Sequence, residues 1–394
     1  MNTPKVNKRI LALDILRGFT IAGMILVNNP GSWGHIYAPL RHAEWNGLTP
    51  TDLVFPFFMF IMGISTYISL KKYNFEFSQS AALKIVKRTI VIFLIGCAIG
   101  WFSRFCRYWV TAPEDLSFFE NLWASVWTFD RMRILGVMQR LALCYGAASI
   151  VALTVKHKRI PYIIATLLIG YFVILMCGNG YEYNETNILS IVDRTILTPV
   201  HMYKDNGIDP EGLLSTLPSI AHVLLGFYVG KLMLDGNKSQ DRMSFLNSQI
   251  ITLFLVGTIL TFSGFLLSYG CPINKKIWSP TFVLTACGLA SSCLALLSWI
   301  IDVKGKKKWS LFFEAFGVNP LFMYVLGGVL GILFGCIRFP WEDGMISIHT
   351  FMYKIVMVPI FGQTGGSLAF ALLFVTINWC IGYQLYKRKI YIKI

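Results

Sequence analysis

Six histidines occur in the 394 residues, and one of them, His42, stands in a dense polar run. The run reads Arg41-His42-Ala43-Glu44-Trp45-Asn46-Gly47-Leu48-Thr49-Pro50-Thr51-Asp52-Leu53-Val54-Phe55-Pro56. A neutral imidazole, with a pKa of about 6.5, takes a proton from an amine or hydroxyl at neutral pH, so His42 suits a general base. Thr49 and Asp52 have a local explanation as well. Thr49 can cap a helix, Pro50 fits its first turn, and Asp52 suits the positive end of its dipole. That account leaves His42 unexplained. His35, His157 and His349 fall in loops with no supporting polar pattern, and His222 in an apolar helix reads as a packing residue.

Polar groups inside apolar blocks come next, because each costs several kcal/mol unless paired or wetted. Asp14 and Arg17 share one face of the first apolar block, near its start. They read as a local ion pair or as an arginine that meets an anionic ligand. Gln139 and Arg140, in Gly136-Val137-Met138-Gln139-Arg140, are the other conspicuous pair. Arg140 can snorkel, and beside an amide it also suits a phosphate or a pantetheine arm. Glu314 and Asn319 read as helix-terminus contacts. The six histidines neither cluster nor pair with carboxylates, so the sequence implies no metal. Nine cysteines, with no CxxC, read as small packing residues.

The elements that must position these residues are membrane helices. Residues of the AVILMFWYC set make up 55% of the chain and charged residues 14%. The apolar ones come in blocks of about 20, the length that crosses about 30 Å of hydrocarbon. About ten spans are expected, near 10–28, 51–70, 89–106, 134–155, 161–178, 216–234, 249–269, 281–301, 310–334 and 366–386. The fold class is therefore all-α, a polytopic bundle forming a single domain over residues 1–394. The stretch 351–362 is too short to cross and ends in Pro359, Gly362 and Gly365; it reads as interfacial or re-entrant. The net charge is +15, but the basic residues fall in every second gap: Lys5, Lys8 and Arg9; Lys71 to Arg88; Lys156 to Arg159; Lys304 to Lys308; Lys387 to Lys393. That is the positive-inside pattern, with both termini cytoplasmic and no nucleic-acid groove. The first block has no cleavage site and reads as a retained helix. The longer gaps on the other side hold His42 and most acidic residues.

In these blocks the chain resembles the heparan-α-glucosaminide N-acetyltransferase family of multi-pass acyltransferases. The resemblance rests on Leu13-Asp14-Ile15-Leu16-Arg17-Gly18, Val27-Asn28 and His42-Ala43-Glu44-Trp45-Asn46-Gly47-Leu48-Thr49 through Phe60-Ile61-Met62-Gly63. It continues in Gly136–Leu141, Asp193-Arg194, His201, Tyr203, Asp209-Pro210-Glu211-Gly212, Asn274–Ser279, Gly317-Val318-Asn319-Pro320 and Arg388-Lys389-Ile390. It implies transfer of the acetyl group of cytosolic acetyl-CoA to the amino group of a terminal glucosamine across the membrane. It implies an active-site histidine at His42, a supporting asparagine at Asn28, and a homodimer. Two departures matter. Set beside the lysosomal enzyme, the chain is expected to lack the luminal N-terminal domain and first membrane helix, which fits a bacterial ten-helix form in the inner membrane. It also has Gly327-Gly328 where the lysosomal enzyme has a Gly-His pair, so heparan as acceptor does not follow.

The two readings meet in one geometry. Asp14 and Arg17 begin the first helix and Asn28 ends it, about 20–25 Å away, the length of an extended pantetheine. CoA is expected to thread the bundle with its phosphates near Arg17 and Arg140 and its thioester near Asn28 and His42. His42 would deprotonate the amine or carry the acetyl group transiently, and Asn28 would stabilise the oxyanion. Trp45, Asn46, Asp52, Asp209 and Glu211 are the candidates for binding an amino-sugar or glycan acceptor. O-acylation of an envelope glycan needs the same base, and an amino-sugar transporter or flippase would also carry polar residues inside such a bundle.

Overall fold

The computed structural model describes residues 10–113, 115–203, 205–235 and 241–392. Fourteen α-helices account for nearly all regular structure: α1 (Leu11–Asn28), α2 (Pro50–Leu70), α3 (Gln79–Thr111), α4 (Phe118–Val126), α5 (Val137–Thr154), α6 (Ile160–Cys177), α7 (Ile188–Leu197), α8 (Thr216–Asp235), α9 (Arg242–Leu267), α10 (Pro280–Ser298), α11 (Leu311–Val318), α12 (Pro320–Cys336), α13 (Ile348–Thr350) and α14 (Val358–Lys387). Among the described residues, eight helices are long and apolar enough to cross a membrane, or nine if α11 and α12, bent by 78° at Asn319, count as one span. The tenth expected span, 89–106, lies within α3, whose 33 residues also carry Lys84, Lys87, Arg88, Arg104 and Arg107. Lys5, Lys8, Arg9 and Lys393 of the expected basic clusters lie outside the described residues.

Helix ends follow local chemistry. Thr49 caps α2 in a reciprocal box with Asp52, and Pro50 takes the first turn. Ser117 and Glu120 repeat the device at α4, and Ser279 caps α10. Two features were not legible in the sequence. Arg338–Trp341 (β1) pairs antiparallel with Gly344–Ser347 (β2) as a small hairpin between α12 and α13. The 351–362 stretch is a short helical segment that opens on a π-helical turn, Phe351–Met357, and non-helical backbone at Gly362 (φ +69°, ψ 178°) breaks it from the rest of α14, which runs on to Lys387.

Packing seats α1 and α2, the helices that carry the site. α2 lies along α8, and α1 against α11. At the α2–α8 crossing, a Cβ on Gly63 would fall well inside 3.0 Å of the Val223 carbonyl, and one on Gly226 equally close to that of Phe60. The backbones touch because neither helix has a side chain there, the packing that membrane helices use where lipid supplies no hydrophobic drive. His222, fully buried on α8, donates through Nε2 to the Pro56 carbonyl of α2 at 2.9 Å and packs there, its Nδ1 without a partner among the described residues. By contrast, a Cβ on Gly170 of α6 would meet nothing within 4 Å. Gly63→Val is therefore expected to destabilise the protein by about 1–3 kcal/mol or more, while Gly170→Val is near neutral. Thermal unfolding of the two variants in detergent checks this, and equal midpoints would contradict the crossing.

Candidate functional site

Asp52, in the first turn of α2, is 1% exposed and would be costly there without partners. It has four. His42 Nδ1 donates to Oδ1 at 2.6 Å; the Ala43 and Thr49 backbone N–H groups, each at 3.1 Å, and the Thr49 hydroxyl at 2.9 Å reach Oδ2. A carboxylate only accepts, so Nδ1 of His42 carries a proton, and in the neutral ring Nε2 is the nitrogen left with the lone pair. The same helix start that capping chemistry dictates thus orients the imidazole.

A second loop closes over the first. Asn274 and Ser279 tie a tight turn: the Ser279 hydroxyl accepts from Asn274 N, and Asn274 Oδ1 accepts from Ile277 N, with Trp278 in the left-handed region at φ +54°. Gly47 N donates to the Ile273 carbonyl at 2.8 Å, and Asn274 Nδ2 to Asn46 Oδ1 at 3.1 Å. Asn46 is therefore a tie between loops. The turn delivers Lys275, whose Nζ lies 3.1 Å from His42 Nδ1, 3.4 Å from Nε2 and 3.8 Å from Asp52 Oδ1. Burial makes the Lys275 ammonium easier to deprotonate than usual, against the opposing pull of Asp52 and Glu211. Lys276 beside it bonds Asp205 and Tyr183 and lies over the Tyr183 ring, which stacks on Trp45 at 4.6 Å. Trp45 Nε1 donates to the Tyr181 carbonyl.

These groups line a cavity of about 460 Å³ that also takes in Asn28, Trp33, Glu44, Arg133, Tyr203, Asp205, Glu211 and Tyr324. Of the residues expected from sequence, Asn28, His42, Trp45, Asp52 and Glu211 come together there. Asn28 ends α1 with its side chain open to the cavity. Asp209 does not reach the wall. Fully buried, it holds Arg133 and accepts from Tyr203 N and Glu211 N, each at 2.9 Å. Its carboxylate is spent on protein partners, as is that of Asp52. Of the three acidic residues expected to bind the acceptor, Glu211 keeps an oxygen that Arg133 does not take: Arg133 binds Oε2 at 2.6 Å. Burial works against the Glu211 charge, and Arg133 outweighs it, holding the carboxyl below its usual range.

The proposed phosphate residues separate. Arg17 donates to Asp14 and to Ser65, both at 2.8 Å, at the end of α1 and α2 away from Asn28 and Asp52. Arg140 lies at the other end. It is fully buried, bonds the Gly212 carbonyl and Ser215, and lies over the Trp278 ring. Gln139, also buried, donates to Cys97. Arg140 and Arg17 thus lie apart, and one residue beyond Glu211 the chain folds back onto Arg140, which braces the 209–216 loop. Lys275, Lys276, Arg133, Asp205 and Tyr324 were not singled out from sequence. The Asn274–Ser279 block was visible as a motif, but a loop lysine more than 200 positions from His42 carries no local sign of its partner.

Residues 9–264 match the family model described as heparan-alpha-glucosaminide N-acetyltransferase, catalytic. The chain is similar to heparan-alpha-glucosaminide N-acetyltransferase of Homo sapiens, 27% identical over 374 residues that cover 80% of this chain and 52% of the relative. It is also similar to the Mus musculus protein of that name, 26% identical over 446 residues that cover 98% and 60%. The chain therefore spans between about half and three-fifths of the length of these curated relatives.

Asp193 on α7 supports the same loop from below. Fully buried, it accepts from Leu213 N at 2.8 Å through Oδ1, while Oδ2 has no partner among the described residues. Burial pushes its carboxyl up to about 6 from 3.8, despite the Leu213 N–H. Between those values the folded state holds a proton that the unfolded chain releases, so stability falls as pH rises through this window and is flat above it. Asp193→Asn keeps the acceptor and removes the charge. It is expected to gain up to roughly 2–3 kcal/mol over wild type above pH about 6, and nothing below pH about 4. Unfolding midpoints across pH check this; a difference independent of pH would contradict it.

Proposed function

The chain belongs to the heparan-alpha-glucosaminide N-acetyltransferase catalytic family, and from that premise we propose that it moves the acetyl group of acetyl-CoA to the amino group of a glucosamine or related amino sugar. The observation that carries the reading is the His42–Asp52 pair: a buried carboxylate fixes the Nδ1–H tautomer and leaves the Nε2 lone pair beside Asn28 in one cavity. In this reading CoA enters from the Arg17 end, the cytoplasmic side, and the acceptor from the His42 end.

The chemistry then follows. The neutral amine of the acceptor attacks the thioester carbonyl, its C–N bond forms, and His42 Nε2 takes the proton it sheds. Asn28 and the Lys275 ammonium stabilise the tetrahedral oxyanion. The C–S bond breaks, and the thiolate leaves with the proton from His42 as CoA thiol. Asp52 balances the imidazolium charge throughout. Glu211 and Glu44 hold the acceptor's hydroxyls and ammonium before it loses its proton, against the wall of Trp45, Trp33 and Tyr203. A transient acetyl-His42 uses the same atoms in two steps. The setting is an integral membrane protein, in a bacterial inner membrane and as a homodimer.

The test is transfer of radiolabel from acetyl-CoA to glucosamine by the purified protein. His42→Ala is expected to abolish transfer. Asp52→Asn turns an amide toward Nδ1 and shifts the imidazole to the wrong tautomer, lowering kcat by about 10²–10⁴-fold. Thr49→Ala, which loses the cap and one donor to Asp52 but keeps the His42–Asp52 bond, separates that from folding. Lys275→Met is expected to lower kcat by about 10²-fold with the KM for acetyl-CoA little changed. Full activity in His42→Ala, or failure of the wild type to bind acetyl-CoA, would overturn the reading.

A further inference from the structure

A second cavity, larger than the catalytic one, opens beside it. Its volume is about 650 Å³, and it lies between α1, α3 and α12, lined by Ile25, Ile99, Val110, Ile332 and glycines of α12. It shares Met24, Asn28 and Tyr324 with the catalytic cavity, so the two meet at the end of α1. Two of the α12 glycines, Gly327 and Gly331, are filled positions: a Cβ would strike Ile25 or Asn29. The other two are not. A Cβ on Gly328 would touch only Ile99 at 3.8 Å, and one on Gly335 would meet nothing within 4 Å. The space between α3 and α12 is therefore open: no side chain of the described residues fills it.

Charge sits at one end of that space. Arg107, near the end of α3, and Arg338, opening β1, line the cavity, and no carboxylate pairs with either among the described residues. An apolar slot between membrane helices, with two exposed guanidinium groups that no described carboxylate pairs at the end where α3 and α12 stop, fits an amphiphile with an anionic head. Nearby, α4 presents exposed Phe118, Phe119, Trp123 and Trp127, an aromatic set suited to the lipid–water boundary.

We propose that this cavity holds the hydrocarbon and phosphate of a lipid-linked amino sugar, Arg107 and Arg338 binding the phosphate while the sugar amine reaches His42 past Asn28 and Tyr324. The inference rests on the acetyl-transfer reading and narrows its acceptor to a membrane-anchored class. The transfer itself is unchanged: a C–N bond forms, the C–S bond breaks, and the amine proton leaves with CoA thiol.

The experiment compares four acceptors with the protein in nanodiscs: glucosamine, glucosamine phosphate, a neutral hexadecyl glucosaminide and a hexadecyl glucosaminyl phosphodiester. The wild type is expected to use the phosphodiester at least about tenfold better in kcat/KM than any of the other three. Gly335→Leu, which fills open space, and Arg107→Gln with Arg338→Gln are expected to erase that preference and leave the glucosamine rate unchanged. Equal use of all four acceptors would overturn the proposal, as would glucosamine phosphate matching the phosphodiester, which assigns the arginines to free phosphate. A rise in the KM for acetyl-CoA in Gly335→Leu would also overturn it, giving the cavity to the donor. Should the wild type acetylate none of the four, the transfer reading fails and binding decides the cavity. Retention of radiolabelled phosphodiester by the wild type but not by Gly335→Leu keeps it, and equal retention removes it.

Discussion

A carboxylate buried at the start of a membrane helix has to find donors, and the chain around Asp52 is folded by that need. Four donors meet its two oxygens, and all come from the ten residues before it. The loop from Arg41 to Thr49 is therefore wrapped on one anion, and the His42 ring is one of the wrappings. An unpaired anion there would cost several kcal/mol, so the histidine's orientation is held by the same free energy that keeps the helix start in place. Stability and chemistry draw on one interaction, which is why neither the loop nor the ring can shift alone. Nor can α2: its contact with α8 through Gly63 and Gly226 leaves no room for sliding.

Around this pair, the structure reads as a set of ties between distant loops. The turn at Asn274 to Ser279 reaches the His42 loop through Gly47 and Asn46 and sets Lys275 over the ring. The 209–216 loop is pinned from both sides, by Arg140 below Gly212 and Arg133 on Asp209 and Glu211. Burial and two carboxylates act on Arg133 in opposite senses; the carboxylates win and hold its charge more firmly than usual. A cationic lining next to an imidazole and an amide suits a reaction in which negative charge grows on a carbonyl oxygen. Two cavities meet at Asn28, on the two sides of the end of α1.

What the sequence revealed is what is local in the chain. Apolar blocks of membrane length marked most of the crossings, and Thr49-Pro50-Thr51-Asp52 marked the cap of α2, because both depend on neighbours a few residues away. His42 stood out because its polar surroundings exceed what a cap requires. Long-range pairing was out of reach. Asp52 and Asp209 both read as acceptor ligands, and only the fold reveals that their oxygens are taken by His42, Thr49, Arg133 and backbone N–H groups. Arg140 read as a phosphate ligand because an arginine in an apolar block is unusual; its partner, the Gly212 carbonyl, lies 72 positions away. The β1–β2 hairpin escaped because Pro340 and a run of only four residues per strand carry little alternation.

The central claim is that the acetyl group of CoA is delivered between Asn28 and His42 from the Arg17 end of the bundle. A structure of the protein with a non-transferable acetyl-CoA analogue tests it most directly. The account expects the pantetheine arm to run along α1, with the carbonyl carbon about 3–3.5 Å from an attacking position served by His42 Nε2 and its oxygen turned toward Asn28. An analogue bound with its acyl end away from His42, or lying in the cavity between α3 and α12, would contradict it.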